Sequence, residues 1–384
     1  MALPLPLLLI LLQKDTCPYC QNDPERMQAA GVVTHQPSVI GFGTPQEFVA
    51  TVGGDGWIFL ETPHIRWASS LGPESLSAEE AKTRREEIER LRAALPDIPK
   101  NPRKLDPWLR LHLLAQRGED FYARFQKLLQ VSDADFPEER SNDGPYMGNG
   151  RFLGEKDKFE LILHARRATH LAFTKARTGA EVTDALRLHP PGFHKMLASV
   201  PAEDSDLRQD VWLWPHLAHL GSHLFFCAYK HYSFEPPPWL DEGLALFLEK
   251  EANPVSFTRE GEEGVYKERG PADWSSAEKK LAASTKTTSF AALLHRNTHG
   301  DLSDDELVQC WSLVRFLAAE HPEKLAGFLG GVKGQLDTQG YPSGKDLDGL
   351  QSRLLKELWD WTPAALDAEW RAWVVAGAGA AESR

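Results

Sequence analysis

The chain has 384 residues, 42% of them hydrophobic and 26% charged. That is enough for a large core or for two or three domains, and the composition excludes a wholly disordered protein. A net charge of −12, with no basic tail or stripe to offset it, excludes a nucleic-acid binder, because phosphate affinity needs concentrated Lys and Arg. The acidic surface serves solubility and identifies no substrate, and the twelve tryptophans read as core anchors of helical segments.

An apolar run over residues 2–12 opens the chain. It is too short to span a bilayer, so no integral membrane span is expected. It matches the apolar part of a secretory signal, which places the protein in the periplasm or outside the cell. No Lys or Arg precedes it and no small-x-small cleavage site follows before Cys17, which leaves a cytoplasmic location open. A start site set too far downstream accounts for the missing basic residues.

Four cysteines follow: Cys17, Cys20, Cys227 and Cys310. The first two form Cys-Pro-Tyr-Cys, a pattern that serves as a disulfide, half a zinc site or a redox pair. Without a second CxxC or a βαβ pattern, a small local staple is the expectation. Residues 13–50 are polar and broken by Gly and Pro, and read as an irregular lead-in.

Residues 57–67 are rich in β-formers and predict one strand interrupted at Pro63. Ser77 and Glu80 form a capping box for a charged helix to about Leu95, with Ile88, Leu91 and Leu95 as its apolar stripe. Asp106 and Pro107 then cap a helix to about Gln130, with Leu109, Leu113, Phe121, Phe125 and Leu128 inward. Residues 131–150 read as loop, and the glycines of 142–150 lack phosphate-loop spacing. Strands are predicted at 159–164 and 193–200, with a helix to about Ala176 between them. An apolar helix covers 210–229, and after the Pro-rich turn at 235–238 a second helix starts near Trp239. A polar stretch at 254–288 precedes a helical third. There Ser303 and Glu306 cap a helix bearing Leu307, Trp311, Val314 and Leu317, and Thr362-Pro363 opens another with Leu366, Trp370 and Trp373. No internal repeat is present.

The chemistry-bearing segment is Trp214-Pro-His216-Leu-Ala-His219-Leu-Gly-Ser-His223, followed by Pro238-Trp-Leu-Asp-Glu242-Gly-Leu-Ala. Residues four apart share a helix face, so His219 and His223 can offer ring nitrogens to one zinc ion. Glu242, nineteen residues after His223, is placed on the next helix to supply a third ligand and leave one position open.

These two segments resemble the gluzincin pattern of the peptidase MA clan, in which HExxH is followed on the next helix by a glutamate ligand. Residues 237–249 resemble that family's second-helix motif, and the layout over about 55–378 resembles a bacterial secreted-peptidase-like family. Only the two motif segments are specific. The resemblance implies a zincin-like α+β fold, a small mixed sheet from the strands near 57, 159 and 193 packed on the motif helix, with largely helical N- and C-terminal parts. It implies four regions: 1–54, the apolar segment and CxxC lead-in; 55–150, a strand and helical segment; 151–255, the zincin-like core; and 256–384, a helical subdomain. It implies zinc on His219, His223 and Glu242.

The departure is at Leu220, where HExxH has the glutamate that takes a proton from the metal-bound water. Losing such a base costs roughly 100- to 10,000-fold in rate. His216, one turn before His219, is a weak substitute. The reading is therefore a degenerate, inactive metallopeptidase-like protein that keeps the metal-site frame and binds a peptide or protein ligand. The alternatives are a zinc peptidase with an unorthodox base and a metal-free structural module. Tyr229, His231 and Tyr232 read as surface aromatics at a helix end, and His164, His170 and His194 as incidental. The sequence sets neither the substrate nor the oligomeric state.

Overall fold

The computed structural model describes residues 16–140, 144–189, 195–203, 205–261, 264–268 and 273–377. The apolar run at 2–12 and the histidine at 194 lie outside them. No helix among the described residues is long and apolar enough to cross a membrane. The protein is of mixed α+β class, and its chain divides into two compact units: 1–121, 158–186 and 197–213 in the first, and 122–157, 187–196 and 214–384 in the second.

The first unit begins with α1 (Pro24–Ala29) and α2 (Pro45–Val52), the latter closed by a Thr44–Glu47 capping box, so the lead-in is partly helical. The predicted strand at 57–67 is a hairpin, β1 (Ile58–Glu61) antiparallel to β2 (Ile65–Ser69). Thr62 makes the difference: its hydroxyl oxygen accepts from Ile65 N at 3.2 Å and folds the chain back at Pro63. After β3 (Glu74–Ser75), the Ser77 capping box starts α3 (Ala78–Thr83) as expected. The helix then breaks at Arg84 and resumes as α4 (Arg85–Ala94). The Arg84 guanidinium is buried against the Glu74 and Asp210 carboxylates, and that pairing fixes the corner. β4 (Lys104–Leu105) pairs with β3, and Asp106 Oδ1 then accepts from Trp108 N and Leu109 N to start α5 (Pro107–Leu129), whose last turns belong to the second unit.

The strand β5 (Phe159–His164) is buried along its whole length, Glu160 and His164 included, as expected of a strand inside a sheet with parallel neighbours on both sides. It pairs parallel with β2 on one side and with β7 (Leu197–Pro201) on the other, after α6 (Arg167–Thr178) and β6 (Leu186–Leu188). Of the strand predicted at 193–200, residues 193 and 194 lie outside the described residues, and the strand observed is Leu197–Pro201. His164 and His170 are core members rather than incidental: both are wholly buried, and both ring systems bond the Ser199 hydroxyl, at 3.0 and 2.8 Å.

α7 (Asp210–Ala228) starts in the first unit and runs on into the second, where α8 (Pro238–Ala252) follows. The polar stretch at 254–288 holds a hairpin, β8 (Thr258–Glu260) with β9 (Val265–Lys267), and then α9 (Trp274–Ala283). Next come α10 (Phe290–Leu293), α11 (Asp304–Glu320) with its Ser303–Glu306 capping box, α12 (Pro322–Lys333), α13 (Leu347–Trp359) and α14 (Pro363–Val375). Gly243 lets α8 and α11 meet backbone to backbone, because a Cβ there would lie 2.8 Å from the Cys310 carbonyl oxygen. Tryptophans pin this helical layer as anchors: Trp239 Nε1 donates to Gln351 Oε1 at 2.7 Å, and Trp370 Nε1 to Ser312 Oγ at 2.8 Å. Tyr229 and His231 are buried rather than surface aromatics. His231 Nε2 donates to the Lys333 carbonyl, which draws the helix end inward. Among the glycines near 150, Gly154 has φ +109° and packs on the Lys230 backbone, where a Cβ would lie 2.6 Å away, so its reason is close approach.

Candidate metal centre

The helical spacing of α7 sets His219 and His223 on one face, with Nε2 atoms 3.1 Å apart. α8 runs beside them, and its Glu242 brings a carboxylate oxygen to 3.7 Å from His219 Nε2. All three side chains are wholly buried, and their donor atoms lie within 4.8 Å of one another. Sequence spacing anticipated this convergence.

A second layer, which sequence reasoning missed, fixes the two rings. His219 Nδ1 donates to Glu249 at 3.1 Å, and His223 Nδ1 donates to Asp241 at 2.7 Å. Glu249 is itself held by Ser256 Oγ at 2.7 Å, Thr258 Oγ1 at 2.9 Å and Thr258 N at 3.1 Å. Asp241 also accepts from His299 Nε2 at 2.9 Å. Carboxylates that orient ligating imidazoles in this way fix the tautomer and raise ring basicity. With the Nδ1 atoms so committed, the two Nε2 atoms face each other and the Glu242 carboxylate.

Glu242 carries the decisive anomaly. Neither of its carboxylate oxygens has a hydrogen-bond partner, although the residue is fully buried. A buried carboxylate without partners costs several kcal/mol or more, and a coordinated cation removes that penalty. The donors present, two imidazoles and one carboxylate, therefore suit a divalent metal ion.

Electrostatically the site is acid-rich. Burial works against charge on His219, but its hydrogen bond to Glu249 and the nearby Glu242 and Glu260 carboxylates hold its pKa above the usual value. Burial likewise opposes charge on His299, which Glu260 and Asp241 nevertheless lift to about 9. Glu260, on β8, stands 3.5 Å from His223 Nε2 and is clamped by the Arg187 guanidinium. Burial pushes its carboxyl up, but Arg187, His299 and His223 bring it down to about 2. No local sequence signal marked Glu260 or His299, since they reach the site from a hairpin and a turn.

Leu220 points into the apolar core, with no exposed surface. The His216 ring lies beside Thr258, with Nδ1 3.2 Å from its hydroxyl, and burial lowers its pKa to about 3. Its Nε2 has no partner.

No family model, curated protein or solved structure matches the chain. The functional reading rests on these residues alone.

Elsewhere the structure departs from the staple expected at Cys17 and Cys20. Both are free and buried, as are Cys227 and Cys310. Each of the first pair lies instead against a histidine ring from outside the motif.

Proposed function

We propose that the protein is a degenerate gluzincin-type zinc metallopeptidase. In this reading it keeps a zincin-like fold and a zinc site on His219, His223 and Glu242, has lost efficient hydrolysis, and is exported to bind a peptide or protein. The observation that carries it is the unpartnered Glu242 carboxylate beside the two Nε2 atoms, each ring braced from behind by a carboxylate. Bound there, zinc would supply Lewis acidity and a water of lowered pKa. What the chain lacks is the proton acceptor next to that water, because Leu220 is aliphatic. Glu249 and Asp241 orient the rings and are engaged in doing so.

The test is metal content and peptide hydrolysis of the purified protein. The expected result is a zinc equivalent that disappears in His219→Ala and Glu242→Ala, together with negligible peptidase activity. Unchanged metal content in both variants would overturn the reading.

A second reading, a working peptidase with an unorthodox base, draws on Glu260, whose carboxylate lies 3.5 Å from His223 Nε2. Its clamp by Arg187 and its low pKa make it a poor proton acceptor, which favours the first reading. Chelator-sensitive hydrolysis abolished by Glu260→Gln would reverse that order.

A further inference from the structure

The Cys-Pro-Tyr-Cys motif opens the described part of the first unit, and the site above makes no use of it. Cys17 Sγ lies 3.2 Å from His112 Nε2, and Cys20 Sγ lies 2.9 Å from His35 Nε2. The four donor atoms all fall within 4.8 Å of one another. Cys17 and Cys20 have no exposed surface, His112 is 2% exposed and His35 5%. They come from three separate stretches of chain: the turn at 17–20, the loop between α1 and α2, and α5.

We propose that Cys17, Cys20, His35 and His112 form a closed structural zinc site of the two-thiolate, two-imidazole type. The donor set is the one tetrahedral zinc takes in structural sites. A tetrahedral ion with bonds of 2.0–2.3 Å sets neighbouring sulfur and nitrogen donors about 3.5 Å apart, so the 3.2 and 2.9 Å contacts need open by about 0.3 and 0.6 Å.

Independent features shape the cluster for a metal. His35 Nδ1 donates to the Phe59 carbonyl at 3.2 Å, which leaves Nε2 as the lone-pair nitrogen facing Cys20. The chain turns sharply after the motif: Gln21 and Asn22 both have positive φ, and Gln21 N donates to the Cys17 carbonyl at 2.8 Å. Tyr19, inside the motif, donates its hydroxyl proton to Asp106, the residue that caps the helix bearing His112. The CxxC turn and the start of α5 are thus registered to each other through a second contact. Burial of all four donors leaves no position for substrate, which makes the site structural rather than catalytic. Two thiols at hydrogen-bond distance from two imidazoles also form a disulfide-free cluster, whereas a local staple would have joined the sulfurs to each other.

Binding forms two Zn–S and two Zn–N bonds and releases the two thiol protons to solvent, with no change of oxidation state. Affinity therefore rises with pH. The ion ties two parts of the lead-in to each other and to α5, and its binding energy adds to folding of the first unit.

The experiment uses the full-length protein, reduced and loaded with cobalt(II) in place of zinc. Thiolate-to-cobalt charge-transfer absorption is expected. It should survive in the His219→Ala/Glu242→Ala double variant and vanish in Cys17→Ser/Cys20→Ser. Survival in the former keeps this site separate from the one on α7 and α8, so either can fail alone. Should the cysteine variant not fold, alkylation of the wild-type protein decides. Cys17 and Cys20 are expected to be protected in the metal-loaded protein and at least tenfold more reactive after chelation. Absence of the charge-transfer band, alkylation indifferent to chelator, or a Cys17–Cys20 disulfide in freshly isolated protein would each overturn the proposal.

Discussion

Leu220 sits one residue past His219, inside the apolar core, where the motif helix of an active zinc peptidase, under the proposed reading, would present a carboxylate. Leu220→Glu is therefore expected to raise zinc-dependent peptide hydrolysis by roughly 100-fold or more over the wild type, the size of a restored general base. A fluorogenic peptide assay with and without chelator measures it, and no gain in a folded, metal-loaded variant would count against the zincin reading. Behind the candidate ligands, Glu249 and Asp241 hold the rings by their Nδ1 protons. Glu249→Gln is expected to weaken metal binding about 10- to 100-fold without removing any ligand, as read by competition with a metal-sensitive dye. The amide keeps the shape of the carboxylate but loses its charge.

Helix termini and close helix contacts govern the elements. The Ser303–Glu306 box forms as its spacing predicts, and Ser303→Ala should lower stability by about 1 kcal/mol in urea unfolding. At Gly243 the controlling fact is distance: a Cβ would stand 2.7 Å from Val314 Cγ2 and 2.8 Å from a backbone carbonyl. Gly243→Ala is expected to destabilise by about 1–3 kcal/mol from overpacking, partly offset by roughly 1 kcal/mol of improved helix propensity. A neutral or stabilising result would mean that α8 and α11 can separate freely. Helices and their caps were legible because capping and periodicity are local. The breaks at Thr62 and Arg84 were not, because a side chain bonding back to the main chain makes one and a buried ion pair to Asp210, 126 residues away, makes the other.

At the scale of the whole molecule, buried histidines with lowered pKa contribute to the response to acid. Burial is the main cause that brings His170 down to about 4, and it holds His164 well below the usual imidazole value. In the unfolded chain these rings gain protons near pH 6.5, while the folded protein keeps His170 neutral until about pH 4. Their contribution is therefore complete above pH 6.5 and is lost as pH falls toward 4, by about 3 kcal/mol for His170 alone. Urea unfolding between pH 4 and 7 should show stability falling with acid, and His170→Gln should flatten that slope. A slope unchanged in the variant would place the effect elsewhere.

The sequence by itself determined the α+β class, most helices with their capped starts, the strand at 159–164, and the i, i+4 histidines with Glu242 on the following helix. Each is written in short-range spacing, which the 3.6-residue and two-residue periods of the backbone translate directly into faces. Only the tertiary structure decided that Glu260 and His299 stand beside His223, that Tyr229 and His231 turn inward, and that Cys17 and Cys20 meet His35 and His112 without a disulfide between them. Those meetings join residues as far apart as 95 positions along the chain. Burial of apolar faces brings such residues together, and no local pattern records which partner a side chain will find once water is excluded.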